Sequence, residues 1–514
     1  MVSESETVLG LIKRGRSSSV AICYENQAPL TYQGFGELAI DTVSALNQIG
    51  IGRNDRVAIV LPNGAMMATA FVCVSGAATT APLNPNYRQE EFEFYLDDLN
   101  ARALMVEQGS DSPAIDAAKK LGILVIYLVA DDSQSTGCFR LETVDDAKLE
   151  PSGDGSSGLA EASDVALILH TSGTTSRPKI VPLTHQNVCA SAANIVASLD
   201  LTDQDRCMNI MPLFHIHGLI AVILSSLRAG ASVYCTPGFN ALKFFTWMED
   251  AKPTWYSAVP TMHQAILSRA GRAKSIIDAH PLRLIRSSSS SLPPQVMAEL
   301  EATFQTPVIE AYGMTEAAHQ MASNPLPPLG RKPGTVGLAA GPEVAIMNEQ
   351  GDLLTQGEIG EIVIRGDNVT EGYENNPKAN AENFTSGWFR TGDQGTIDNE
   401  GYIAITGRLK EIINRGGEKI SPREVDEVLM DHPAISQCVT FAMPHAKLGE
   451  EVAAAVVLRD GETADEKAIR DFMAQRLADF KVPRRVVILD EIPKGATGKL
   501  QRIGLADKLA DHLA

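Results

Sequence analysis

The sequence predicts an α/β protein in more than one domain, on three observations. The chain has 514 residues, well beyond the roughly 250–300 at which single cores stop growing. Up to about residue 160, helical and strand patterns alternate, the mark of a sheet with helices on its faces. From Gly337 onward the texture changes to short strands and turns, and a small α+β pattern of about 100 residues closes the chain.

The elements follow in order. Residues 32–48 carry apolar side chains at helical spacing, and 56–61 read as a strand ended by Pro62-Asn63-Gly64. Residues 90–99 place Phe92, Tyr95, Leu96 and Leu99 on one helical face. Residues 121–130 form a buried-strand pattern, and the Gly-, Ser- and acid-rich 145–163 a surface connection. The apolar run 165–169 is a strand, and Thr184 can cap a helix to about Ser198. Residues 255–260, 282–286, 360–366 and 401–407 read as further strands. Ser421-Pro422-Arg423-Glu424 has capping-box spacing with proline at the first helical position. Strands at 438–443, 452–458 and 485–489 and a helix at 465–478 complete the small unit.

Bulk properties exclude several classes. Net charge is -19 and the pI about 5.0, which argues against nucleic-acid binding and docking on anionic membranes. An anionic substrate therefore needs local Lys and Arg. The seven cysteines are scattered without a C-x-x-C pair, so neither a disulfide framework nor a zinc site is expected. Residues 1–19 do not read as a signal peptide, no apolar run suits membrane insertion, and the C-terminus is not a peroxisomal signal. A reducing, cytoplasmic setting fits.

Four stretches carry chemistry. Residues 171–176 are drawn only from Thr, Ser and Gly and lead into Arg177-Pro178-Lys179. Hydroxyls and backbone N–H groups there can wrap a polyphosphate, and the two cations can neutralise it; a plain surface loop is the alternative. The Walker A spacing is absent. In Glu310-Ala311-Tyr312-Gly313-Met314-Thr315-Glu316 an aromatic can stack on a base, Gly allows close approach, Thr can donate to phosphate, and Glu can hold Mg²⁺. Asp393, at a tight glycine turn, can accept both hydroxyls of a ribose, or simply make an Asp turn. Lys499 lies in a glycine loop, where a solvated charge is the ordinary reading. Two weaker features stand beside these. His215 and His217 could share one strand face and bind metal, although no third ligand is apparent nearby, so pocket lining is preferred. The serines from Ser287 to Ser291 are either a flexible turn or a row of donors beyond a sheet edge.

In order and over nearly the whole chain, these motifs resemble the adenylate-forming superfamily: acyl-CoA synthetases, adenylation domains and luciferases. The resemblance implies a large N-terminal domain (1–408) of layered α/β subdomains plus a β-rich subdomain, and a small mobile C-terminal domain (409–514). It implies that Ser172, Thr174, Thr175 and Lys179 hold the β/γ-phosphates, with Thr171 and Gly173 also in the nucleotide site. Tyr312 would pack on adenine, with Glu310 and Ala311 also in the nucleotide site; Thr315 would touch the α-phosphate, Glu316 bind Mg²⁺, and Asp393 with Arg408 hold the ribose. Lys499 would bridge the acyl carboxylate and the α-phosphate. Lys410 would be the hinge that brings Arg415, Gly416 and Gly417 to CoA.

Two departures from the usual loop, Ser176 and Ile180 for glycines, stand out. Ser176 and the stretches 212–219, 255–261 and 314–325 look like oxalate–CoA ligases. That narrows the implied substrate to a short polar acid held by His215, Arg286, Ser289 and His319, with ATP and CoA as the other partners. The alternatives are a ligase for malonate, a 4-coumarate-like aromatic or a medium-chain acid, an adenylation module loading a carrier protein, or a luciferase-like oxygenase.

Overall fold

The computed structural model describes residues 6–130, 135–151, 157–171, 178–493 and 501–513. Their strands form four sheets. A seven-stranded sheet runs Phe139–Thr143, Leu124–Ala130, Ala103–Glu107, Arg56–Val60, Thr79–Pro82, Val165–Thr171, Lys179–Thr184. Its middle is parallel and its two edges antiparallel. A nine-stranded sheet has a parallel centre of Val308–Met314, Leu284–Ser287, Trp255–Ala258, Arg206–Asn209 and Ser232–Cys235.

Between these sheets lies the helix Ala65–Ser75, buried at nearly every position from Met67 on, so its sequence has no polar stripe. It packs on Thr79–Pro82 of one sheet and Ser232–Cys235 of the other. One apolar cluster runs through both layers, with Phe35, Phe71, Leu167, Ile220 and Trp255 at its heart.

The third sheet, five antiparallel strands within 343–408, is the expected β-rich part. The fourth, within 413–488, has its own core of Ile413, Val425, Leu429, Val456 and Ile469. The layered α/β plan with a β-rich part and a small α+β end is the one the sequence predicts.

Most expected elements are present with trimmed ends, among them helices Tyr32–Ile49 and His185–Leu199, the second capped by the Thr184 hydroxyl. Three readings are corrected. Asp393 is not in a turn: it sits within the strand Trp388–Ile397, opposite Arg408. His215 and His217 do not share a strand, because His217 opens the helical segment His217–Leu224. Ser421 precedes the expected helix Pro422–Met430 but makes no side-chain cap. Its hydroxyl bonds the Thr406 carbonyl instead, and Glu424 pairs with Lys481 at 2.6 Å.

Among the described residues, no helix is long and apolar enough to cross a membrane. All seven cysteines are free thiols.

Candidate active site

The carboxyl ends of the central parallel strands face one cleft, the place where open α/β sheets bind ligands. The chain leaves those ends through 259–261, 288–292 and 315–319, which carry the site.

At one end of the cleft, charges are paired. The Tyr312 hydroxyl donates to one Asp393 oxygen, and Arg408 Nε donates to the other at 2.8 Å. Strand pairing fixes this contact, since Asp393 and Arg408 are opposite one another. Burial and the Asp393 carboxylate together raise the Tyr312 pKa well above its ordinary value, so the hydroxyl stays a donor.

Beside this pair, Glu316 is buried and its Oε1 accepts the Tyr373 hydroxyl at 2.8 Å. Lys179 Nζ lies 4.2 Å from the centre of the same tyrosine ring. Burial raises the Glu316 pKa, opposed by the tyrosine and by Arg408 and Lys179. Burial likewise lowers the Lys179 pKa; Glu316 opposes and Lys410 adds to the lowering. Lys410, in the exposed turn after Ile403–Arg408, therefore faces the same ground as Lys179.

The strand-to-strand turn at Thr315–Ala317 is tight. A Cβ on Gly313 would lie 1.8 Å from the His319 carbonyl oxygen, so only glycine fits. The close approach inferred from the sequence is thus to the chain's own hairpin. Ala318 and His319 then take φ of 45° and 100°, strained values for residues with a Cβ.

The other end of the cleft is a buried polar cluster. His217 is fully buried, with Nδ1 3.0 Å from Ser289 Oγ and Nε2 2.6 Å from Ser257 Oγ. The His319 ring meets it edge-on, with centroids 5.2 Å apart. Beneath Ser257 lies Arg286, also fully buried, its Nη1 3.4 Å from Ser257 Oγ and its Nη2 3.4 Å from Gln320 Oε1. Burial pushes the Arg286 pKa down to about 9, so the guanidinium remains charged near neutrality. Ser289 is half-buried at φ 72° and is followed by exposed Ser290 and Ser291.

The remaining expected residues are placed as follows. Thr171 ends its strand opposite Lys179. Glu310 and Ala311 are buried strand residues that hold the serine run. Ala311 O accepts from Ser288 Oγ at 2.9 Å, and Glu310 Oε1 from the Leu292 N–H at 2.9 Å. Thr315 is half-buried beside Glu316. His215 is half-buried, and its Nδ1 lies 3.4 Å from the His217 N–H.

Arg415 pairs with Glu451. Gly416 and Gly417, at φ 60° and 102°, form the two-residue turn between Ile413–Arg415 and Glu418–Ile420, which turn chemistry alone demands. Ser172, Gly173, Thr174, Thr175 and Lys499 lie outside the described residues.

The sequence reading missed Tyr373, Ser257 and Gln320, and chose His215 over His217. Nothing local marks Tyr373 or Gln320, whose partners are 57 and 34 positions away. Ser257 had a signal: a serine hydroxyl in a fully buried strand requires a partner. Ile180 also gains an account. It is a buried strand residue whose side chain joins an apolar cluster and whose carbonyl accepts from the Glu374 N–H.

Paired charges at Asp393–Arg408 and around Glu316 and Lys179, together with a buried polar cluster, suit a nucleotide-dependent ligase. The chain belongs to the AMP-binding enzyme family, whose domain matches residues 13–374 and whose C-terminal domain matches 424–499; by class it is an AMP-forming acid–CoA ligase.

More narrowly, it is 45% identical to an oxalate–CoA ligase of Arabidopsis thaliana, over 97% of this chain and 98% of that one. It is 44% identical to an oxalate–CoA ligase of Saccharomyces cerevisiae, over 89% and 87%. Among solved structures, ATP-bound MatB from Rhodopseudomonas palustris matches with a TM-score of 0.87 and 29% identity, over 99% of this chain and 100% of that one. The apo form of the same protein matches at 0.78 and 28%, over 99% of each chain.

Proposed function

We propose that the chain joins oxalate to CoA, cleaving ATP to AMP and diphosphate through an acyl-adenylate. The observation that carries the choice of acid is the cluster of His217, His319, Ser257, Ser289 and Arg286. An acyl chain or aromatic ring needs apolar walls at that point, whereas oxalate brings a second carboxylate and no apolar surface. The identity to two oxalate–CoA ligases supports the same reading.

In the first half-reaction a carboxylate oxygen attacks the α-phosphorus of ATP and diphosphate leaves. Both reactants are anions, so the protein's work is placement and charge neutralisation. Tyr312, with Glu310 and Ala311 behind it, frames the adenine, and Asp393 with Arg408 takes the ribose. Thr171, Ser172, Gly173, Thr174, Thr175 and Lys179 hold the β/γ-phosphates, and Thr315 the α-phosphate. Lys499 bridges the attacking carboxylate and the α-phosphate.

Glu316 offers one buried carboxylate with one oxygen steadied by Tyr373. Among the described residues there is no group of three or more His, Cys, Asp or Glu that could hold a metal. That suits Mg²⁺, which takes one or two carboxylates and completes its shell with phosphate and water. Bound with ATP, Mg²⁺ supplies further charge neutralisation at the phosphates.

In the second half-reaction the CoA sulfur attacks the acyl carbon, a C–S bond forms, and AMP leaves with its oxygen. The unit 409–514 turns about Lys410 on the body 1–408, withdrawing Lys499 and presenting Arg415, Gly416 and Gly417. The unequal match to the ATP-bound and apo forms of one relative supports a small domain with more than one position. In the arrangement described, Arg502 of the small unit lines a cleft together with Val259, Thr261 and Ser291 of the large one. The free thiols suit a reducing, cytoplasmic setting.

Oxalate-dependent exchange of labelled diphosphate into ATP, without CoA, tests the adenylate. Added CoA should then drive AMP release. Exchange without CoA-driven release would instead favour a module that loads a carrier protein.

A further inference from the structure

We infer that Arg286, Ser257 and His217 form a one-way hydrogen-bond relay that leaves the Ser289 hydroxyl proton free to donate to the acid's carboxylate. This rests on the reading that the acid binds at this end of the cleft.

The direction follows from what each group can do. A guanidinium only donates, so Arg286 Nη1 gives its proton to Ser257 Oγ at 3.4 Å. Ser257 is itself buried and must use its own hydroxyl proton. Its other hydrogen-bond partner among the described residues is His217 Nε2, at 2.6 Å. Nε2 is therefore the acceptor. A ring that also carried a proton there would put a second buried cation close to Arg286, at a high desolvation cost.

His217 is thus neutral and protonated on Nδ1, which donates to Ser289 Oγ at 3.0 Å. With its oxygen occupied as an acceptor, Ser289 has its proton left to give. It sits half-buried, in a left-handed backbone conformation unfavourable for serine, next to exposed Ser290. That is the position from which a hydroxyl meets an incoming anion.

The far side of the arginine has the same polarity. Gln320 turns its oxygen toward Nη2 at 3.4 Å and its nitrogen toward Ser198 Oγ at 2.8 Å and the Ala340 carbonyl at 3.4 Å. Among the described residues, no carboxylate pairs with Arg286, and its Nε has no hydrogen-bond partner. A buried cation without an anion polarises every link outward. The missing counter-charge is the substrate's second carboxylate. Arg286, Ser257 and His217 are accordingly positioning residues, and Ser289 is the one that touches the acid.

The direct test uses the unaltered protein. Histidine ¹⁵N spectra between about pH 6 and about pH 8, with His217 assigned by its loss in His217→Gln, report which nitrogen holds the proton. The relay requires a neutral ring protonated on Nδ1. A ring protonated on Nε2, or on both nitrogens, overturns it.

Kinetics give the second readout. Ser257→Ala and Ser289→Ala should each raise KM for oxalate about 10- to 100-fold, leaving KM for ATP unchanged. The double variant should be no worse than about twofold beyond either single change, because both cut one chain. Arg286→Met should collapse the preference for oxalate over acetate. Fully additive effects overturn the relay. So does a raised KM in Ser289→Ala with none in Ser257→Ala, which leaves the acid site standing. A Ser289→Ala enzyme with unchanged KM for every acid removes the acid site itself.

Discussion

The two ends of the cleft are built on opposite principles. At the nucleotide end, charged groups face opposite charges: Asp393 meets Arg408, and Glu316 faces Lys179 across Tyr373. At the acyl end Arg286 is buried with hydroxyl and amide partners only, among the described residues. On the proposed reading the paired-charge end is the nucleotide end, and its pre-neutralised pairs would let it accept and release a large polyanion without leaving a naked charge behind. On the same reading the acyl end is completed by the acid's own anion, which would make it selective. An unpaired buried charge costs stability, and here that cost is the basis of discrimination.

The largest expected effect is on the chemistry that joins the two ends. Lys499→Ala should cut adenylation by at least about 10³-fold, the scale of losing a preorganised charge at the reacting centre. Thioester formation from supplied acyl-adenylate should survive. Equal loss of both half-reactions would show that the lysine serves neither end in particular. Lys410→Pro should do the reverse, slowing thioester formation more than adenylation, because it stiffens the turn rather than the site.

Tyr373→Phe sharpens the view of the nucleotide end. It removes one hydrogen bond to a charged group, about 1.5–3 kcal/mol. The Mg²⁺ needed for half-maximal diphosphate exchange should rise about tenfold. Tyr373→Leu also removes the ring face under Lys179, about 0.5–2 kcal/mol, and should weaken ATP binding by calorimetry. No Mg²⁺ dependence in Tyr373→Phe would separate the tyrosine from Glu316's role.

The smallest effect concerns stability. Burial pushes Glu310 from its ordinary 4.5 up to about 7. Between those values the folded chain holds a proton that the unfolded chain has released. Its contribution is therefore greatest at acid pH and is lost as pH rises to about 7. Glu310→Gln keeps an acceptor for the Leu292 N–H and should flatten that slope in urea melts at about pH 5 and about pH 8. An unchanged slope would place the titration elsewhere.

The residues that the structure groups at the paired-charge end were singled out in the sequence, because they come in contiguous motifs ordered along the chain. Glu316, Asp393, Arg408 and Lys179 are examples. The relay was not, for a physical reason. Arg286, Ser257, His217 and Gln320 come from four different elements: parallel pairing sets Ser257 beside Arg286, while His217 comes from a helical segment and Gln320 from an antiparallel strand. That Arg286 is fully buried is a tertiary fact that its strand pattern does not show. The shared strand face expected for His215 and His217 is absent for a similar reason, since neighbours at i and i+2 become unequal once the second begins a helix. The β-rich region announced itself through texture, but Asp393's place inside a strand depended on pairing with residues about 15 positions on.

The central claim is that the acyl end is completed by a small dianion. The most direct measurement is AMP and acyl-CoA formation with ATP, Mg²⁺ and CoA across oxalate, malonate, acetate, octanoate and 4-coumarate. A strong preference for oxalate, with malonate next and acetate far behind, is the expected result. A preference for octanoate or 4-coumarate would leave the ligase chemistry intact and contradict the role given to Arg286 and its relay.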